Sequence, residues 1–239
     1  PEGVDVDGIV RGMHRISSPE GEGPRAQILA SGVGVPWAME AQQLLRDDWG
    51  VQADVWSVTS WTELRRDGLA ADEHNFLHPE GEARTAFVTE KLKDAEGPVV
   101  AVSDFMHAVQ DQIRPWVPQQ FVTLGADGFG FSDTRAAARR FFHVDGPSVA
   151  VRTLQMLAEQ LSAAGVPVFL ADVKGDLSGL ATPGEPSDKL AERTQATGMD
   201  WAPAGYPVEF LALGGDGVGV PVRATVDSFG PVLLARIMD

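Results

Sequence analysis

Five histidines, His14, His74, His78, His107 and His143, are the side chains best suited to proton transfer near neutral pH, and all precede residue 148. Only His74 and His78 stand at a ligand-like spacing. They lie four apart in EHNFLHP and would share one face if that stretch were helical. The glutamate of an HExxH zinc motif is missing and Pro79 follows at once. The expectation is therefore a loop that packs or solvates both rings, with no metal ligand assigned. No G-x-S-x-G elbow occurs and cysteine is absent, so neither a serine elbow nor a thiolate nucleophile is available, and no catalytic residue is assigned.

Phosphate chemistry would need a glycine-rich cradle, and three segments qualify for inspection. SGVGVPWA lacks the third glycine of G-x-G-x-x-G, and Trp37 sits where close helix packing wants a small residue. GADGFGFSD ends one expected strand and opens an expected helix, so Asp127, Gly128, Gly130 and Ser132 are candidates for a weak anion site. Two glycines there more often supply positive φ for a turn, which is the preferred reading. GGDGVG reads as a turn. DVKGDLSG ends an apolar run, where Asp172 and Asp176 could hold a metal and Lys174 a phosphate. Charged residues also collect at strand ends for solubility alone, and that plainer explanation is favoured. No G-x-x-x-x-G-K-[ST] loop is present in the 239 residues.

Strands and helices must position these groups. RAQILASG reads as a strand into a glycine turn, and VPWAMEAQQLLRDDWG as a helix stopped by Gly50. QADVWSVTS is a strand, followed by a short turn from Trp61 to Arg66 capped by Ser60. PVVAVSDF is a buried strand with Asp104 placed to start a helix that Pro115 ends. QFVTLGADG is a further strand, and FSDTRAAARRFF a helix with Ser132 as its N-cap. A long helix runs from Val149 to about Ala164, with Val151, Leu154, Leu157, Ala158 and Leu161 on its apolar face. VPVFLADV reads as a buried strand, Ser187 to Thr197 as a short helix, and YPVEFLAL with VPVRATVD as a β-hairpin across a six-residue loop. Alternation of strand and helix gives an α/β three-layer sandwich around a mainly parallel sheet over residues 25–145.

Composition bounds the rest. Lys and Arg number 19 against 34 Asp and Glu, a net charge of −15 that repels phosphate backbones and anionic lipid. Direct nucleic-acid binding is not expected. No apolar run is long enough to cross a membrane, and the absence of cysteine fits a cytoplasmic protein. The start at Pro1 without methionine and the ending GPVLLARIMD are read as those of a fragment.

Four long stretches carry a resemblance: DWGVQADVWSVTSWTELRRDG, NFLHP, DQIRPWVP and LGADGFGFSDTRAAARRFFHVD. Residues 1–150, extending to about 155, resemble the C-terminal domain of the homodimeric bacterial decarboxylating component of the pyruvate dehydrogenase complex. That resemblance implies a transketolase C-terminal-like fold with a structural, dimer-forming role. The parent enzymes use thiamine diphosphate and magnesium, but the family's diphosphate motif and activating glutamate belong to upstream domains. No cofactor is expected on this chain. Gly215, Asp216 and Gly217 spell GDG without the following asparagine, and Ala126 replaces the family's usual threonine. The implied partners are the remaining domains of the parent enzyme, a second copy in a homodimer, and the acyltransferase of the complex.

Residues 151–239 resemble a different family, the nucleotide-binding core of HerA-like P-loop ATPases, through TLQMLAEQLSAAGVPVFLADVKGDLSGLATPGEPSDKLAER, PVEF, PVRATV and GPVLLARI. The resemblance implies a partial P-loop-type α/β segment. In that family a Walker A loop immediately precedes the matching stretch, whereas here DGPSVAVR does, and the Walker B strand would fall beyond Asp239. Both resemblances run into the helix that begins near residue 148. The alternatives to a pyruvate dehydrogenase fragment are thus a fragment of a HerA-like ATPase or DNA translocase, or a chimeric product with neither activity.

Overall fold

The computed structural model describes residues 5–129, 131–170, 178–183, 205–213 and 219–222. The chain divides into two units, the first holding residues 1–170 and 186–201, the second 171–185 and 202–239.

In the first unit a short helix α1 (Val6–Arg11) leads into β1 (Met13–Ser17), then β2 (Arg25–Ala30), α2 (Gly34–Trp49) and β3 (Gln52–Val58). After these come α3 (Trp61–Leu77), α4 (Phe87–Leu92), β4 (Val99–Val102), α5 (His107–Asp111), a 3-10 turn at Arg114–Trp116, and β5 (Phe121–Leu124). The helices α6 (Arg135–Phe141) and α7 (Gly146–Ala163) follow. The five strands order as β1-β3-β2-β4-β5, all parallel except β1, which runs antiparallel to β3. This is the expected mainly parallel sheet with helices on both faces.

Successive strand residues point to opposite faces, and the two cores follow that alternation. Ala26, Ile28, Ala30, Val55, Val100 and Val102 face α2 and α7, whose Trp37, Ala41, Leu45, Val149 and Met156 complete one buried cluster. Leu29, Trp56, Val58, Val99 and Ala101 face the other way, against Trp61, Leu64, Phe87, Leu92 and Ile113. The chain leaves the sheet's centre in opposite directions after β2 and after β4. Right-handed crossovers then place α2 on one face and α5 on the other.

Several elements depart from the sequence expectations. The segment from Trp61 is no short turn but a helix of 17 residues. Ser60 does cap it, accepting from Glu63 N–H at 3.1 Å, and the helix runs through Gly68, over which the Trp116 ring occupies the space a side chain would fill. Asp104 does not start α5. That helix begins after an extended Met106, two residues later. Ser132 is not the cap of α6 either. Thr134 is, its hydroxyl accepting from Ala137 N–H at 3.3 Å.

Helix α7 begins at Gly146, capped by Asp145, which accepts from Ser148 N–H at 3.2 Å. Its buried stripe is Val149, Ala150, Thr153, Met156 and Ala158, with Leu154 and Leu157 partly buried beside it. Val151 and Leu161 from the expected face are both 37% exposed. A threonine in the stripe hid it from a purely apolar pattern. Thr153 is tolerated there because its hydroxyl donates to Val149 carbonyl oxygen one turn back at 2.8 Å.

Residues 166–170, expected to begin a buried strand, are irregular and expose Val166 and Phe169. A central strand needs neighbours to satisfy its backbone, and none of the described strands pairs with this segment. The remainder of that strand and the Ser187–Thr197 helix fall outside the described residues.

The second unit contains a 3-10 turn at Ser178–Ala181 and two short strands, β6 (Leu211–Leu213) and β7 (Val220–Val222). These strands pair parallel, Leu211 with Val220 and Leu213 with Val222, which corrects the expected hairpin. A six-residue glycine-rich connection does not fix antiparallel geometry as a two-residue turn does.

Candidate functional site

In open α/β sheets ligands settle outside the carboxyl ends of the strands, where the strand order reverses. Here that place lies between β2 and β4. Gly34 opens α2 so close to β4 that a Cβ would stand 2.9 Å from the Val102 carbonyl oxygen. Ser31, 6% exposed, accepts from Trp61 Nε1–H at 2.9 Å. Ser103, fully buried, accepts from Phe105 N–H at 3.1 Å and from the Gln110 amide, which also donates to Leu124 carbonyl oxygen at 3.3 Å. Both hydroxyls and the Gln110 amide nitrogen are engaged within the chain, while Gln110 Oε1 is buried without a hydrogen-bond partner.

The loop after β5 holds the first group of candidate residues. Asp127 Oδ1 accepts from the backbone N–H of His107 at 2.8 Å, and Oδ2 stands 3.1 Å from His107 Nδ1. Gly128 has φ +105, the left-handed conformation that its position in the turn requires. Ser132 is exposed and Gly130 lies outside the described residues. Asp172, Lys174 and Asp176 also lie outside them. So the structure joins Asp127 to His107, a residue that the glycine pattern did not select. The N–H at the start of α5 donates to a carboxylate of the chain itself. Phe105, Met106 and the wholly exposed Phe129 surround this loop with apolar surface.

At the opposite end of the strands the structure assembles a polar cluster that the sequence reading missed. Asp54 on β3 is 5% exposed and accepts from Ser18 Oγ–H at 2.7 Å and Arg15 Nη1–H at 3.2 Å, with Arg25 Nη1 at 3.8 Å. Beside it Gln27 accepts from Trp56 Nε1–H at 2.9 Å and donates to Glu96 carbonyl oxygen at 3.1 Å. Arg15, Arg25, Lys91, Asp54, Asp94 and Glu96 line a cavity of about 300 Å³. Three cations meet three carboxylates, and Lys91 also pairs with Asp5 at 2.7 Å. The cluster binds the edge strand β1 to β3. Its one sequence signal was Gln27 and Asp54, polar residues inside otherwise apolar strands.

Among the described residues no three carboxylate or imidazole groups converge to hold a metal ion.

Comparison with known proteins follows the fold. A family model described as the transketolase-like TK C-terminal domain matches residues 12–145. This chain belongs to that family. A second model, the helicase HerA-like C-terminal family, matches residues 145–239. The pyruvate dehydrogenase E1 component of Mycolicibacterium smegmatis is 57% identical over 159 residues, covering 66% of this chain and 17% of that protein. The Escherichia coli K12 protein of the same name is 40% identical over 161 residues, 67% of this chain and 18% of its own. The chain thus spans about a sixth of the length of the curated relatives it matches. A transketolase from Pichia stipitis crystallised with sedoheptulose-7-phosphate matches at 17% identity and TM-score 0.47, over 72% of this chain and 21% of that one.

The two family models meet at Asp145, the N-cap of α7. A 159-residue match to the mycobacterial relative cannot end there, so likeness to pyruvate dehydrogenase continues into α7. Val149, Ala150 and Met156 of that helix belong to the core of the first unit.

Proposed function

We propose that residues 1–150 serve as the C-terminal domain of a pyruvate dehydrogenase E1 component, with a structural and dimer-forming role and no catalysis of their own. The observation that carries this reading is the identity of 57% over 159 residues to a protein of that name, spanning only 17% of its length. The remaining 83% of such a relative is where the family resemblance puts the thiamine diphosphate machinery. Inward-turned polar groups at the carboxyl end of the sheet support the non-catalytic part. A cytoplasmic location and partnership with the parent enzyme's other domains and with an acyltransferase belong to the same proposal.

Residues 151–239 form, in this proposal, a HerA-like ATPase segment joined to that domain within α7. The family-model match over 145–239 favours it, while the sequence has no Walker A loop to hold a nucleotide. Calorimetric titration of the full chain with thiamine diphosphate plus magnesium, and separately with ATP plus magnesium, tests both halves. Neither is expected to bind at micromolar concentration. Thiamine diphosphate binding would overturn the non-catalytic assignment, and ATP binding would favour the ATPase alternative. Light scattering on the same sample reads the mass, and a monomer at micromolar concentration would remove the dimer-forming role.

A further inference from the structure

The sequence pair His74 and His78 acquires a new meaning from the length of α3. The helix continues to Leu77, and the N–H of His78 donates to the His74 carbonyl oxygen at 2.9 Å, the regular bond of a last helical turn. His78 caps the helix with φ −128 and ψ 59, and its imidazole lies beside that of His74, ring centroids 4.8 Å apart and inclined by 47°. His74 is half-buried and His78 exposed, so water and ions reach the pair.

The turn that carries them is held from two sides. Asn75 accepts from Arg84 N–H at 2.7 Å and donates to the Arg84 carbonyl oxygen at 3.0 Å, which folds the 79–84 loop back on the helix end. Gly81 N–H donates to the His78 carbonyl oxygen at 3.0 Å. Arg84 is itself tied to Asp67 on α3 at 2.8 Å. Such fixing lowers the entropy lost when two rings are brought to one ion. The acidic net charge of −15 also raises the local concentration of cations.

We propose that His74 and His78 form a two-imidazole site for a divalent metal of the zinc class. Two imidazoles four residues apart at a helix end offer the kind of nitrogen pair that zinc takes in His-x-x-x-His sites. Among the described residues no third side-chain ligand joins them, so water fills the remaining positions. Asn75 occupies the place where a zinc hydrolase of the HExxH type has its glutamate base, and both of its amide atoms are engaged by Arg84. The site binds metal without hydrolytic chemistry.

Titration of the full chain with zinc chloride in a non-chelating buffer at pH 7.5 tests this. One saturable equivalent is expected, lost in His74→Gln, in His78→Gln and in the double variant. Asn75→Ala keeps both imidazoles but releases the helix end from Arg84, and should weaken binding by about a few-fold without abolishing it. With one equivalent of copper(II) as probe, electron paramagnetic resonance should show two coordinated nitrogens in the native chain and a changed spectrum in either single variant. Both rings reach solvent, and circular dichroism checks that the variants stay folded. Absence of a saturable equivalent, or its survival undiminished in the double variant, would overturn the proposal.

Discussion

Replacing Gly68 by alanine pits helix propensity against packing, and the structure decides the sign. In an exposed helix interior the change would stabilise by about 1 kcal/mol, because alanine loses less backbone entropy. At Gly68 a Cβ would lie 2.3, 2.5 and 2.6 Å from three atoms of the Trp116 indole, where ordinary contact begins near 3.4 Å. The ring must retreat by about 1 Å. It is not free to do so, since Nε1–H donates to Asp72 at 3.0 Å and the Trp116 carbonyl oxygen accepts from Thr89 Oγ1–H at 2.5 Å. Overpacking costs about 1–3 kcal/mol, and loss of the exposed indole hydrogen bond adds about 0.5–1 kcal/mol. After the propensity gain the expected net destabilisation is about 0.5–3 kcal/mol, or roughly 1–12 °C at about 2–4 °C per kcal/mol for a unit of this size. Thermal unfolding followed by circular dichroism reads it directly. The Trp116→Leu background supplies the control, for there Gly68→Ala should become neutral or stabilising. A higher melting temperature for Gly68→Ala in the native background would refute the packing argument.

Asp54→Ala leaves Arg15, Arg25 and Ser18 without their shared acceptor. A loss of about 1–3 kcal/mol is expected, and hydrogen exchange should show Met13–Ser17 losing protection before the central strands. Thr134→Ala should cost about 0.5–2 kcal/mol and Ser132→Ala almost nothing, measured by urea unfolding, because only Thr134 caps α6. The Lys91 ammonium, then the Gly8 N–H, hold the Asp5 carboxyl below the usual carboxylate range. Its stabilisation is therefore complete above the unfolded value near pH 4 and is lost as pH falls through the folded one. Asp5→Asn keeps a good cap, so its deficit, at most about 0.5 kcal/mol for a pair this exposed, should be present at pH 7 and shrink as the pH falls below the unfolded value.

Strand and helix order was legible because it rests on short-range regularities. Val99–Val102 is a short, valine-rich apolar run, and its length and β-branched content mark it as a strand buried on both faces. Gly50 ends α2 with φ +66, as a glycine after an amphipathic helix should. Harder to see were α1, β1 and α4. α1 and α4 have six residues each and β1 five, too few for a periodic signal. The choice between Ser132 and Thr134 as cap was equally obscure, since either residue type caps a helix and only the backbone's entry angle selects one.

Local sequence by itself determined the α/β class, the number of central parallel strands, the glycine turns and the absence of a thiol, because each depends on residue type or on neighbours a few positions away. Tertiary structure alone decided what the polar residues do. Asp127 meets His107 across 20 residues, and Asp54 gathers Arg15 and Ser18 from one segment and Arg25 from another. Trp116 fills the space over Gly68 from 48 residues away, and α3 runs on to the turn that sets the His74 and His78 rings side by side. Such pairings come from strand order and crossover hand, which bring distant residues together only once the whole sheet has formed.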